Sequence, residues 1–263
     1  MRPFRTPFRT AAALAAALAL TAGLALAPVT SARAEDEPDT DGPTYGAPAV
    51  GECHDYGKKV LLSDNDPTPA VGCKKDHTAY TTAVVYLPDA VEYYEPTWDE
   101  FLATMSRKVL PGCAAAARKA LETNWRTYMR TAYTWAWFLP TEDEIAHGAR
   151  WVRCDLVLQA GNDRLQDLPA RSPALKRITK AERACIKVAN DGSWWETGCT
   201  KKHQFKATHN HQLPQGKYPS SKKFQRLGSK HCRGTKKYWW WVGSYRSEWR
   251  AGNRVIQCYA LDR

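Results

Sequence analysis

Beyond residue 34 this 263-residue chain holds no second run of the roughly 20 apolar residues that a membrane-spanning helix needs. No low-complexity tract dominates it. With 43% hydrophobic and 25% charged residues it has an ordinary globular balance, which excludes a fibrous chain and an extensively disordered one. It has no G-x-S-x-G elbow, H-E-x-x-H pair, Walker loop or dinucleotide fingerprint, so the common hydrolase, zinc-protease, NTPase and dehydrogenase signatures are missing. Acid is scarce at one end. From Pro169 onward five Asp/Glu stand against 21 Lys/Arg, which starves a two-carboxylate glycosidase mechanism there. From Glu35 to Leu168 the balance reverses, with 22 Asp/Glu against 13 Lys/Arg. Halves of opposite sign either attract each other or turn the basic one toward an anionic polymer.

What precedes residue 35 reads as a leader. Arg2, Arg5 and Arg9 come before an Ala/Leu-rich run over 11–27, and Ala32-Arg33-Ala34 offers the small-x-small pattern at which a secretory signal is cut. Thr21 and Gly23 interrupt the run and Pro28 ends it, which favours a signal peptide cleaved after Ala34 over a retained anchor. The first cysteine is Cys53, so no lipid-bearing cysteine stands at the cut. The expectation is a secreted, extracytoplasmic protein with no membrane span in the mature chain. Export makes the eight cysteines legible, because thiols pair in an oxidising compartment. Their even number leaves no obligatory free thiol, which argues against a cysteine nucleophile and against zinc.

Compared with itself, the chain shows one pattern twice. Cys73-x3-His77 is matched by Cys199-x3-His203, and Leu87-Pro88 by Leu213-Pro214, all at an offset of 126. Farther on, Trp137, Glu144, Gly148, Arg150 and Cys154 are matched by Trp241, Glu248, Gly252, Arg254 and Cys258 at an offset of 104. The change of offset removes 22 residues from the second copy, around 96–125, where Phe101, Met105, Val109, Cys113 and Leu121 form an apolar stripe at helical spacing. The spacing predicts a helix there, bent at Pro111-Gly112, and a shorter turn of helix over 224–232. Residue type and alternation predict strands over 79–87, 131–139 and 151–158, then over 205–213, 238–245 and 255–261. Thr141 followed by three acids predicts a helical turn over 142–147.

The fold class is therefore α+β: two tandem disulfide-stapled modules, each a small, mainly antiparallel sheet packed against a helix, with the helix shortened in the second. The expected boundaries are a signal peptide over 1–34, an acidic, proline-containing linker over 35–49, an acidic module over 50–168, a linker over 169–177 and a basic, Trp-rich module over 178–263. Confining each bridge to its own module cuts the possible cysteine connectivities from 105 to nine. Of these, sequential pairing is expected: Cys53 with Cys73, Cys113 with Cys154, Cys185 with Cys199, and Cys232 with Cys258. The first bridge of each module closes a hairpin-like excursion and the second pins the helix to the last strand. A Cys2His2 metal site built from Cys73, His77, Cys199 and His203 is the competing use, and oxidation disfavours it. No cofactor or metal is expected.

Four histidines, His203, His209, His211 and His231, fall in the basic module, which invites acid–base chemistry. The lysine pairs Lys201-Lys202 and Lys236-Lys237 lie there with Trp194-Trp195 and Trp239-Trp240-Trp241. Exposed indoles beside lysines suit a glycan or sugar-phosphate polymer through stacking and charge attraction, whereas buried ones build the core. Lys201, Lys202, Lys236, Lys237, Trp194 and Trp240 are the candidate binding residues.

The combination of Gly51-Glu52-Cys53, Cys73-x3-His77, a helix bearing Cys113, Pro140-Thr141, Gly148-x-Arg150 and Cys154 resembles the septum formation domain of secreted or membrane-anchored actinobacterial proteins. The likeness covers residues 50–168, and the internal match extends it to a diverged copy over 178–263. That copy departs from the pattern, with Arg183-Ala184 before Cys185 and Ser244 in the place of Pro140. The resemblance implies an extracytoplasmic module linked to cell division or the cell envelope, without an established reaction. The expectation is a non-catalytic binding or scaffolding protein whose partner is an anionic cell-wall polymer or an envelope protein, not nucleic acid. Two alternatives stand beside it. One is a secreted hydrolase or nuclease with His203 or His231 as general base; the other is an acidic and basic pair of modules clamped on each other with no polymer ligand.

Overall fold

Thr, Val and Tyr, which fit a pleated and half-buried surface, set the strands of the first half. A computed structural model describes residues 41–88, 91–93, 97–170, 173–233 and 239–262; the expected signal peptide and the start of the linker lie outside them. In chain order the first half runs β1 (Cys53–His54), α1 (Lys58–Leu61), β2 (Ala79–Tyr86), α2 (Trp98–Lys108), α3 (Leu110–Ala120), α4 (Trp125–Tyr128), β3 (Tyr133–Phe138), α5 (Glu142–Ala146), β4 (Trp151–Gly161) and β5 (Arg164–Gln166). The second runs β6 (Ala184–Val188), β7 (Trp194–Gly198), β8 (Phe205–Gln212), α6 (Ser221–Cys232), β9 (Trp239–Gly243), α7 (Arg246–Arg250) and β10 (Val255–Leu261). The α+β class holds.

Local chemistry explains the helix limits. Thr97 caps α2 by accepting the Glu100 N–H, acids fill the first turn, and Arg107 and Lys108 close the last, all matching the helix dipole. Pro111, which lacks an N–H, sits in the first turn of α3 and separates it from α2 at Val109. Thr141 and Glu144 form a capping box at α5. In the second half one helix, α6, replaces the α2–α4 series, so the helical segment is shorter there. Its single helix is longer than the turn expected over 224–232. Ser220 accepts the Lys223 N–H and starts three turns one step after Pro219.

The two sheets share a strand order. The first runs β1-β2-β4-β3, with β5 on the far end of β4; the second runs β6-β8-β10-β9, with β7 added at its edge. Every neighbouring pair is antiparallel. The likeness reaches single bonds. A bulge between Thr81 and Ala83 is repeated between Ala207 and His209, and the extra residue donates its hydroxyl in the same way: Thr82 to the Cys154 carbonyl (3.0 Å) and Thr208 to the Cys258 carbonyl (3.2 Å). Leu87 N–H donates to Arg150 O, and Leu213 N–H to Arg254 O. Cys53 is bonded to Cys73, Cys113 to Cys154, Cys185 to Cys199 and Cys232 to Cys258, so each half carries two bridges and none joins the halves. Each closure contributes typically about 2–4 kcal/mol.

Residues 39–263 pack as one compact unit. In the first half α2 and α3 bury Phe101, Met105, Val109 and Cys113 on one face of the sheet, while Tyr56, Val60 and Leu61 cover Phe138 and Val157 on the other. In the second, α6 covers Ile256 and Cys258 on one face. The opposite face meets the first half. There Val255 joins Ala117, Leu121 and Tyr128, and Leu175, from the segment expected as a linker, packs with them. Backbone bonds stitch the seam: Ala132 N–H to Glu182 O, 2.7 Å, and Ala184 N–H to Arg130 O, 3.0 Å. Part of the expected first linker is also engaged. Gly42 N–H donates to His147 O, and Tyr45 stacks on His147.

One contact at the seam makes a direct test. Gly161 has φ +87° and lies against the Trp195 indole, where a Cβ would collide; Gly192 has φ +82° with open space around it. Both substitutions to alanine strain the backbone, but only Gly161→Ala also displaces a ring. Gly161→Ala is expected to lose about 2 kcal/mol more than Gly192→Ala in urea unfolding. Equal losses would show that the close approach carries no energy.

Candidate functional site

Where the halves meet, a cleft of ≈340 Å³ opens between the α4 region and β8. Asn124, Arg126, Thr127 and Arg130 line it from the first half. Thr208, His209 and Asn210 line it from the second. All are polar and none is a carboxylate.

Local rules place these groups. The Asn124 side chain caps α4 by accepting the Thr127 N–H at 3.0 Å, and the turn continues until Arg130 N–H donates to Thr127 O. Arg126 and Arg130 are four residues apart, which turns both toward one side. Across the cleft, the Asn210 amide donates to the Arg126 carbonyl and ties β8 to α4. The bulge holds Thr208 and His209 at the rim, with Thr208 Oγ1 3.2 Å from His209 Nδ1 and His209 Nε2 3.0 Å from the His231 carbonyl.

The electrostatics are one-sided. Neither Arg126 nor Arg130 has an ion-pair partner among the described residues, and Arg130 Nε is buried with no hydrogen-bond partner. Asn210 Oδ1 is buried without a partner as well. Behind His209, the rings of His211 and His231 stack with centroids 3.4 Å apart. Burial, and then the charges of His231, Lys230 and His209, hold the His211 pKa below its usual value.

None of the other sequence candidates is among the residues that line this cleft. Lys201 and Lys202 are exposed in the turn after β7, and Trp194, on β7, is 40% exposed. Lys236 and Lys237 fall outside the described residues; Trp240 stands opposite Tyr259 in the β9–β10 register. Of the six, side chains are described for Lys201, Lys202 and Trp194. His77 is 1% exposed with Nδ1 2.8 Å from Lys75 O, and His203 Nδ1 lies 2.6 Å from Lys201 O. Both fix the turn after the disulfide. Arg150 donates to Pro88 O at 2.8 Å, whereas Arg254 donates to Trp249 O and lies over that indole. Gly148 and Gly252 both have positive φ, +88° and +98°, at the turns before β4 and β10.

His203 Nε2 meets Asp262 Oδ2 at 3.1 Å and Nδ1 lies 2.6 Å from the Lys201 carbonyl, so each ring nitrogen already has a partner. Thr208 beside His209 resembles a hydroxyl–base pair, yet the equivalent Thr82 makes the same carbonyl bond with Ala83 in the place of the histidine. Its hydroxyl serves the bulge. Cys185, Cys199 and His203 have ligand atoms within 4.8 Å of one another, but the two sulfurs are bonded together and offer no thiolates.

A second polar cluster escaped sequence reading. Under α1 and the loop that follows it, Arg153 Nη2 meets Asp66 Oδ2 at 2.6 Å and Asp155 Oδ2 at 3.0 Å. Tyr56 and Thr81 donate to Asp155, and Thr68 donates to Asp66. The Asp66 side chain is fully buried. Burial pushes its carboxyl up, but the bonds from Arg153 and Thr68 outweigh this and hold its pKa below the usual value. For His54, burial and then Arg153 push the pKa down. At the equivalent positions of the second half stand Gln257 and Tyr259, so the network belongs to the first half alone.

Two antiparallel sheets of one strand order and two disulfides in each half define a disulfide-braced α+β protein. A family model described as septum formation matches residues 50–258, and the chain belongs to that family. The match runs through both halves as one stretch, so the family unit spans the pair. No curated protein and no solved structure matches the chain.

Proposed function

We propose that this member of the septum formation family is an extracytoplasmic, non-catalytic binding or scaffolding protein whose basic half contacts an anionic polymer of the cell wall. One observation carries the reading: the cations of the second half are left without acids. Of its five carboxylates, Glu182 accepts from Tyr133, Asp191 accepts from Ser193 in its own turn, Glu196 and Glu248 have raised pKa values through burial, and Asp262 is shared by His203 and Lys206. Lys201 and Lys202 have no ion pair among the described residues and face solvent. A wall polymer rich in negative charge supplies what the chain does not.

Four disulfides support an oxidising compartment outside the cytoplasm. A purely electrostatic clamp between the halves has less support. All ion pairs among the described residues lie within one half, while the seam is made of apolar contacts and hydrogen bonds. Sedimentation with purified wall tests the proposal. Lys201→Gln/Lys202→Gln is expected to weaken retention about tenfold and to flatten its salt dependence, since a lysine near an anionic surface contributes on the order of 1 kcal/mol. Retention unchanged by the double substitution and by added salt would remove the electrostatic basis.

A further inference from the structure

We infer that the cleft between the α4 region and β8 is a binding site for a phosphate-class oxyanion, held by Arg126 and Arg130. The inference deepens the wall-polymer reading by naming a ligand group and a place for it, and it rests on that reading only for the source of the group.

Two guanidiniums four residues apart repel each other, and a fold normally relieves such a pair with a carboxylate. Here the lining contains no carboxylate, and neither arginine has an ion pair among the described residues. Arg130 Nε is already stripped of water and unpartnered, so the cost of desolvating that donor has been met in the folded chain. An incoming anion recovers the bond.

Shape and donor type narrow the anion. A planar carboxylate satisfies one guanidinium fork, whereas a tetrahedral phosphate presents oxygens to two forks and to the hydroxyl of Thr127 at once. The volume of ≈340 Å³ leaves room for an ester substituent on the phosphate. Asn210 Oδ1, an acceptor without a donor, is placed to receive a hydroxyl of that substituent. The mount is rigid: backbone bonds flank Arg130 on both sides, and the Asn210 amide holds the Arg126 carbonyl. Since each half supplies part of the lining, the site exists only while the halves stay docked.

The test is titration calorimetry on the intact oxidised chain with inorganic phosphate and with a glycerol phosphodiester, using chloride at equal ionic strength as reference. Both phosphate probes are expected to bind above the chloride background, and Arg126→Gln and Arg130→Gln each to weaken them at least tenfold, the usual worth of a charge-assisted bond. Lys59→Gln, an exposed lysine that does not line the cleft, is expected to leave phosphate binding unchanged. Unaltered thermal unfolding of Arg126→Gln, whose residue is exposed, shows that the fold is intact. Phosphate binding equal in wild type and both arginine variants, or no stronger than chloride, would overturn the site. The same variants on purified wall separate the two readings. Loss of retention in Arg126→Gln, with competition by the phosphodiester, assigns the group to the polymer. Loss of phosphate binding with retention intact upholds the site and assigns it a free phosphate ester.

Discussion

Asp66→Ala is expected to cost about 3–5 kcal/mol, the usual penalty for breaking a buried ion pair by removing one partner. The side chain accepts from Arg153 Nη2 at 2.6 Å and from Thr68 N–H at 3.0 Å, and it is the bond between the loop after α1 and the central strand β4. Without it Arg153 keeps Asp155 and a place over the Phe138 ring, 4.7 Å from its centroid, but loses half of its counter-charge in a site closed to water. In urea the unfolding midpoint is expected to fall by about 1 M or more. Asp66→Leu combined with Arg153→Met should recover much of the loss, because apolar replacements leave no charge stranded. A loss under 1 kcal/mol for Asp66→Ala would mean that the loop opens and hydrates the arginine. The same bond fixes the acid side of the stability profile. A carboxyl whose folded pKa is depressed stabilises the fold above its unfolded pKa, and that contribution drains away as pH falls through the folded value.

Why this network was invisible from sequence is a matter of what covers β4. Arg153-Cys154-Asp155 alternates like a strand with one wet face, and the natural reading turns the charges outward. In the fold, Trp151 to Leu158 are buried on both faces, by α3 on one side and by α1 and its loop on the other. The loop brings Asp66 from 87 residues away, a distance at which periodicity carries no information. The strands were legible because β-branched and aromatic residues cluster where hydrogen bonding favours them, and α5 because Thr141 and Glu144 form its cap. The β6–β7 hairpin was missed although Asn190-Asp191-Gly192 marks its turn, with Gly192 at φ +82° and Asp191 accepting from Ser193. The cleft was half legible. His209, His211 and His231 stood out as residue types, but Arg126 and Arg130 look like ordinary surface cations until β8 is laid beside them. Docking of the halves is written in apolar residues such as Val255 and Leu121, whose partners cannot be read from one sequence.

Glu248 is expected to tilt stability the other way. It takes the position that Glu144 holds in the first half, where the carboxylate accepts the Thr141 N–H at 2.7 Å as an ordinary cap. In the second half the same cap is shut into the seam. Glu248 is 5% exposed, and burial, helped by the charge of Glu196, pushes its pKa up to about 7 despite bonds from the Tyr245 N–H, Asn253 and Trp135. Tyr128 faces the pair from the first half. A carboxyl whose folded pKa is raised binds its proton more tightly folded than unfolded. Its contribution is therefore complete below the unfolded value of 4.5 and is lost as pH rises to about 7. A difference of this size corresponds to a loss on the order of 3 kcal/mol, and Glu196, raised in the same direction, steepens it. With Asp66 failing in strong acid and Glu248 failing toward neutrality, maximal stability falls on the acid side of neutral. Glu248→Gln keeps an acceptor for the same donors without the charge, so its unfolding free energy should match wild type near pH 4.5 and exceed it by about 3 kcal/mol at pH 8. A wild-type profile that is flat between these values, or one that keeps its slope in the glutamine variant, would place the titrating group elsewhere. Because Trp135 belongs to the first half, the bond it gives Glu248 crosses the seam, and the loss is expected to loosen the docking of the two halves.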